Sequence, residues 1–126
     1  MNKIIIVDDS RDLLDVLRYF LEEKGYEVET ATKERDLKLL ITSFSPDLIL
    51  LDIYLEGEDG REICKELRKQ EETKYLCILM FSASAKELGN YKEYGADGYI
   101  EKPFGLNEIV DKIESTLKSS KDYRQH

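Results

Sequence analysis

The sequence predicts one α/β domain built on a doubly wound, five-stranded parallel sheet of order 2-1-3-4-5. Three observations predict it. Strand-like and helix-like stretches alternate five times along 126 residues. The stretches Ile4–Val7, Leu48–Leu51 and Ile78–Phe81 are continuous apolar runs, as parallel strands covered on both faces require. The connections are short, and repeated strand-helix steps with short loops impose right-handed crossovers and put helices on both faces.

Each element has its own signal. Ile4-Ile5-Ile6-Val7 is a β-branched first strand, followed by Leu13, Leu14, Leu17, Phe20 and Leu21 at helical spacing. Lys24-Gly25 closes that helix with a basic last turn and a C-terminal glycine. Glu27–Thr30 is a short second strand. Leu37, Leu40, Ile41 and Phe44 make a second helical stripe that stops at Ser45-Pro46. Leu48–Asp52 is the third strand, and Gly57–Gly60 a turn-rich loop before a helix with Ile63, Cys64 and Leu67 inward. Cys77–Phe81 is the fourth strand. Leu88, Tyr91 and Tyr94 predict a fourth helix over Ala85–Tyr94. The turn Gly95–Gly98 precedes a very short fifth strand, Tyr99-Ile100, and Leu106, Ile109, Val110, Ile113 and Leu117 mark the last helix. The domain is expected to span residues 1–119, with 120–126 a frayed polar tail or the start of a linker.

Composition excludes several functions. The chain is 41% hydrophobic and 37% charged, with 19 basic and 27 acidic residues and a net charge of −8. That balance argues against a nucleic-acid or anionic-membrane surface, because phosphate groups demand a basic patch. No stretch approaches the roughly 20 apolar residues of a membrane span. Met1-Asn2-Lys3 runs straight into a strand without a signal-peptide pattern, so a cytoplasmic location is expected. Cys64 and Cys77 share no metal-ligand spacing and read as buried reduced thiols. The one histidine is His126, which removes Ser-His and Cys-His nucleophiles and His-ligated zinc from consideration. Chemistry here must run on carboxylates, hydroxyls and lysines.

Four strands end in polar residues of just these kinds. Asp8-Asp9 follow strand 1, Asp52 ends strand 3, Ser82 follows strand 4, and Lys102-Pro103 follow strand 5. Order 2-1-3-4-5 sets strands 1 and 3 side by side, so these groups meet at the carboxyl edge where open α/β sheets bind ligands. Adjacent carboxylates repel without a cation, and an all-oxygen ligand set favours Mg2+. By itself the Asp8-Asp9 pair serves equally well as a helix cap. Asp52 ends a buried run, and an ionised aspartate is a competent nucleophile toward phosphorus without a general base. Lys102 brings a point charge and Ser82 a hydrogen-bond donor to phosphoryl oxygens. Lys102-Pro103 is also a candidate cis peptide.

The chain resembles the receiver domains of bacterial two-component response regulators, including the stand-alone chemotaxis and phosphorelay types. The resemblance runs from about Lys3 to Leu117. It rests on Val7-Asp8-Asp9, Leu51-Asp52, Asp59-Gly60, Ser82-Ala83 and the string Gly95-Ala96-Asp97-Gly98-Tyr99-Ile100-Glu101-Lys102-Pro103-Phe104. It implies a flavodoxin-like (βα)5 receiver fold with Asp52 as phosphoacceptor. Asp9 would bind Mg2+ directly and Asp8 partly through water, with Asp52 and the Tyr54 backbone carbonyl as further ligands. Ser82 and Lys102 would hold the phosphoryl group. Ser82 and Tyr99 would form a switch that remodels the surface of the fourth helix, fifth strand and fifth helix. The donor would be a sensor histidine kinase, a histidine phosphotransfer protein or acetyl phosphate. The output would be a protein target or a fused domain, with no direct nucleic-acid or membrane contact.

The chain departs from the family pattern in three places. Glu56-Gly57 stand where the family often has a proline four residues past the acceptor, which predicts a mobile loop. Ser82 replaces the commoner threonine. Tyr54 and Ser84 hold the two positions that flank the phosphoryl group, and the Tyr54 ring is expected to obstruct the attacking water and lengthen the phosphorylated lifetime.

Other readings fit less well. Phosphatases of the haloacid dehalogenase class also use a strand-end aspartate and Mg2+, but need a second aspartate two residues on, where this chain has Tyr54. The reading is therefore a signalling domain rather than an enzyme that turns over external substrates. A degenerate receiver used only as a binding surface is disfavoured by the complete set Asp8, Asp9, Asp52, Ser82 and Lys102. A flavin-binding protein of like architecture needs a phosphate-cradling loop where Asp8 and Asp9 would repel the phosphate.

Overall fold

Every residue of Leu48–Asp52 and of Cys77–Ser82 is buried, as central strands covered on both faces must be. A computed structural model describes residues 2–83 and 85–124. The strands are β1 (Lys3–Val7), β2 (Glu27–Ala31), β3 (Leu48–Asp52), β4 (Tyr54–Leu55), β5 (Glu58–Asp59), β6 (Cys77–Ser82) and β7 (Gly98–Glu101). The helices are α1 (Arg11–Glu23), α2 (Glu34–Phe44), α3 (Gly60–Lys69), α4 (Ala85–Leu88) and α5 (Leu106–Arg124), with a 3-10 turn at Tyr91–Tyr94.

Five strands form one parallel sheet in the order β2-β1-β3-β6-β7. Counting sheet strands alone, that is the expected 2-1-3-4-5. Alternate residues of a strand face opposite sides, so the sheet supports two cores. Ile5, Val7, Ile49, Leu51, Ile78 and Met80 pack with Leu37 of α2 and Ile63, Cys64 and Leu67 of α3. Ile4, Ile6, Leu48, Leu50, Leu79 and Phe81 pack with Leu14, Leu17 and Leu21 of α1 and Ile109 and Ile113 of α5. Both cysteines are free and buried, and burial pushes the Cys64 thiol up to about 11. Among the described residues, no helix is long and apolar enough to cross a membrane.

The last helix, α5, runs on to Arg124, past residue 119 where the sequence predicts a frayed tail, and two further segments differ from expectation. The fourth helix over Ala85–Tyr94 is broken: one α-turn, then Gly89-Asn90, then a 3-10 turn. Leu88, Tyr91 and Tyr94 lie three residues apart, which suits the threefold 3-10 repeat better than the 3.6-residue α repeat, and Gly89 is a poor helix former. Second, the stretch after Asp52 carries an antiparallel ribbon in place of an open loop, pairing Tyr54 with Asp59 and Leu55 with Glu58. Gly57, at φ 74°, makes its turn in the left-handed region, where glycine is favoured. The Glu58 carboxylate accepts from the Glu34 N–H at 2.8 Å, capping α2, whose own N-cap residue Lys33 offers no side-chain bond.

Candidate functional site

Asp8 leaves β1 into the crevice beside β3, and its side chain is 2% exposed. One of its oxygens accepts from the Ser10 N–H at 2.8 Å and the other from Lys102 Nζ at 3.0 Å. The helix cap itself is Ser10, whose Oγ accepts from the Leu13 N–H at 3.3 Å. Asp8 therefore supports the cap residue while its second oxygen faces the crevice, and Asp9 stands exposed at the rim.

Asp52 ends β3 opposite Phe81, and Ser82, itself buried, ends β6 one residue further on. The Tyr54 N–H donates to Asp52 Oδ1 at 3.3 Å, and Lys102 Nζ lies 3.5 Å from Oδ2. Lys102 reaches both carboxylates because its backbone N–H extends the pairing of β7 with β6, donating to the Ser82 carbonyl at 2.8 Å. Its ammonium also lies over the Phe81 ring, 4.6 Å from the centroid, a cation–π contact. The Lys102-Pro103 peptide is cis, as expected.

Asp8, Asp9 and Asp52 each offer a carboxylate oxygen, and these oxygens lie within 4.8 Å of one another. Among the described residues three carboxylates face one ammonium, so the pocket is short of positive charge. Burial, then the charge of Asp8, pushes the Asp52 carboxyl up to about 7 against the opposing pull of Lys102. Asp9 is raised as well, by partial burial and then by its hydrogen bond and charge contact with Asp8. A hard divalent cation fits an all-oxygen cluster that binds protons this readily.

Asp8, Asp9, Asp52, Ser82, Lys102 and the Tyr54 backbone are thus brought to one edge. Tyr99 is not. It pairs with Met80, two residues back from Ser82 on β6, is 41% exposed, and packs on Tyr91 with centroids 5.1 Å apart. Ser84 and His126 lie outside the described residues. Two contacts had no legible signal: the Tyr54 hydroxyl donates to the Glu87 carboxylate, and Phe81 lies under the Lys102 ammonium. Both join residues distant in sequence with no motif spacing.

A family model for the response regulator receiver domain matches residues 4–114. Among solved structures, a CheY-like receiver domain protein from Methanospirillum hungatei is 30% identical, with a TM-score of 0.87 over 98% of each chain. CheY4 of Vibrio cholerae is 29% identical, with a TM-score of 0.85 over 92% of this chain and 98% of that one. NtrX from Brucella abortus is 31% identical, with a TM-score of 0.90 over 99% of this chain, which spans only 29% of that protein.

Proposed function

Because the chain belongs to the response regulator receiver family of two-component signalling, we propose that it is a phosphoacceptor switch in which Asp52 takes a phosphoryl group. The supporting observation is Lys102 Nζ set between Asp8 and Asp52, at 3.0 and 3.5 Å. An Asp52 oxygen attacks phosphorus, the new O–P bond forms, and the bond from phosphorus to the donor breaks. The donor, a histidine imidazole or acetate, keeps the electron pair. Lys102 follows the phosphoryl oxygens with its ammonium, and the Ser82 hydroxyl donates to one of them. Asp9, Asp8, Asp52 and the Tyr54 carbonyl would hold Mg2+, which neutralises charge on the phosphoryl group when bound.

The output follows from the same event. Ser82 drawn toward the phosphoryl group frees room for Tyr99 to leave its exposed place on Tyr91 and turn inward. That change would remodel the face made by α4, β7 and α5. The phosphoryl source is a sensor histidine kinase or phosphotransfer protein in the cytoplasm, and the reader is a protein target or a fused output domain. Residues 1–119 form the receiver, and those from 120 on, which continue α5 as far as Arg124, a tail or linker. The domain loads and unloads its own aspartate rather than processing external substrates, since Tyr54 stands where a phosphatase needs a second carboxylate. Intact mass after incubation with acetyl phosphate tests the reading. A Mg2+-dependent gain of one phosphoryl group, absent in Asp52→Ala, is expected; no gain in folded wild type with Mg2+ would overturn it.

A further inference from the structure

Tyr54 lies two residues past Asp52, and Glu87 five past Ser82, so the hydrogen bond from the Tyr54 hydroxyl to the Glu87 carboxylate joins the segments leaving β3 and β6. Those strands are neighbours, and the bridged segments follow directly on Asp52 and Ser82, the proposed acceptor and phosphoryl-binding hydroxyl. The Asp52 side chain is only 6% exposed, and Tyr54, which follows it, is 54% exposed. A carboxylate that must meet a phosphoryl donor thus offers little open surface, and the ring beside it is held by its hydroxyl. The other Glu87 oxygen, Oε2, is buried and has no hydrogen-bond partner among the described residues. Holding a carboxylate with one oxygen desolvated and unpaired is costly, so release of Glu87 to water recovers much of what the bridge provides. The bridge is closed but cheap to open.

We propose that Glu87 is a positioning residue that draws the Tyr54 ring across the mouth of the Asp52 pocket, making a gate that must open before phosphoryl loading. The inference rests on Asp52 being the acceptor. It adds an assignment for Glu87 and a physical reason for the ring to sit where it does. Tyr94, whose hydroxyl donates to the Glu87 carbonyl, ties the same turn of α4 to the 3-10 segment that carries Tyr91, the partner of Tyr99. Opening the gate thus moves a turn that is joined to the switch aromatic.

The test uses the full chain with acetyl phosphate and Mg2+, comparing wild type with Glu87→Ala, Tyr54→Phe and the double variant. Each single change should speed loading by roughly threefold to tenfold, the worth of one modest hydrogen bond. The double variant should gain no more than the faster single, because both remove one contact. Glu87→Gln, which keeps an acceptor oxygen for the tyrosine, should load close to wild type. Hydrogen exchange of unphosphorylated protein over residues 53–59 and 85–94 should quicken in both single variants. A wild type that loads, with variants that load no faster or with additive gains, would sink the gate and leave the acceptor reading intact. A wild type that never loads, whatever the exchange shows, would sink the acceptor reading and the gate with it.

Discussion

The Lys102 ammonium donates to Asp8 at 3.0 Å, a side chain 25% exposed against one only 2% exposed. The carboxylate is buried and the lysine stem reaches in from the rim, so this pair is the one direct neutralisation the inner carboxylate has among the described residues. Lys102→Met keeps the stem and removes the charge. Without Mg2+ this should cost about 1–3 kcal/mol, the penalty of leaving a buried charged acceptor unpaired. Added Mg2+ should restore part of the loss by supplying charge to the same cluster. Urea titrations in EDTA and in Mg2+ check both statements. Loading from acetyl phosphate should fall by about 100-fold or more, as when a donor to a transferring group is deleted.

Gly60 is set by a close approach. A Cβ there would lie 2.1 Å from the backbone carbonyl oxygen of Asp52, while the Gly60 N–H donates to the Ile53 carbonyl at 2.8 Å. Gly60→Ala must push the start of α3 away from the end of β3. The expected cost is about 1–3 kcal/mol, typical of overpacking. Loading should slow at the same time, because the end of β3 that carries Asp52, the proposed acceptor, is what moves. Thermal unfolding beside acetyl phosphate loading reads both, and normal loading in a destabilised variant would show that Asp52 does not depend on this contact.

The parts of the fold visible in sequence were those dictated by local chemistry. β1, β3 and β6 are aliphatic runs that only a doubly covered sheet can bury, and their ends carry Asp8, Asp52 and Ser82 to the edge by strand geometry alone. The break in α4 and the β4–β5 ribbon were not visible. Leu88, Tyr91 and Tyr94 satisfy a helical stripe loosely and a 3-10 turn better, and a two-residue strand has too few positions to show alternation. Glu87 and Arg68 were hidden for a different reason. Their partners are carbonyls and side chains brought near by tertiary packing, and such pairs leave no period in the chain.

Arg68 illustrates the point with a stability prediction. Its guanidinium donates to the carbonyls of Gly95 at 2.7 Å, Lys74 at 2.9 Å and Leu76 at 2.6 Å, and to Asp97 at 2.9 Å. The same Asp97 oxygen accepts from the Ile78 N–H at 2.8 Å. One side chain thus ties the end of α3 to the entries of β6 and β7. Arg68→Met leaves several acceptors without their donor and should cost about 2–4 kcal/mol. Denaturant unfolding gives the value. Loading of the folded fraction should be unchanged, since these bonds lie at the opposite end of β6 from Ser82.

The Asp52 carboxyl gives a pH dependence whose sign is opposite to that of most paired carboxylates. Its ordinary value of 3.8 is pushed up to about 7 in the folded chain, by burial and then by Asp8. Between those values the folded chain holds a proton that the unfolded chain has released. Stability therefore falls as pH rises from about 4 to about 7 and levels off above. Asp9, also raised, acts in the same direction. Because other groups titrate in this range, the quantity to measure is the difference between wild type and Asp52→Asn, in EDTA, by thermal unfolding across pH 4 to about 8. Wild type should lose stability relative to the asparagine variant as pH rises. Saturating Mg2+ should flatten that difference, because a cation on the cluster favours the ionised carboxylate at lower pH. Parallel curves in EDTA would mean that Asp52 is ionised throughout and that Lys102 outweighs both burial and Asp8.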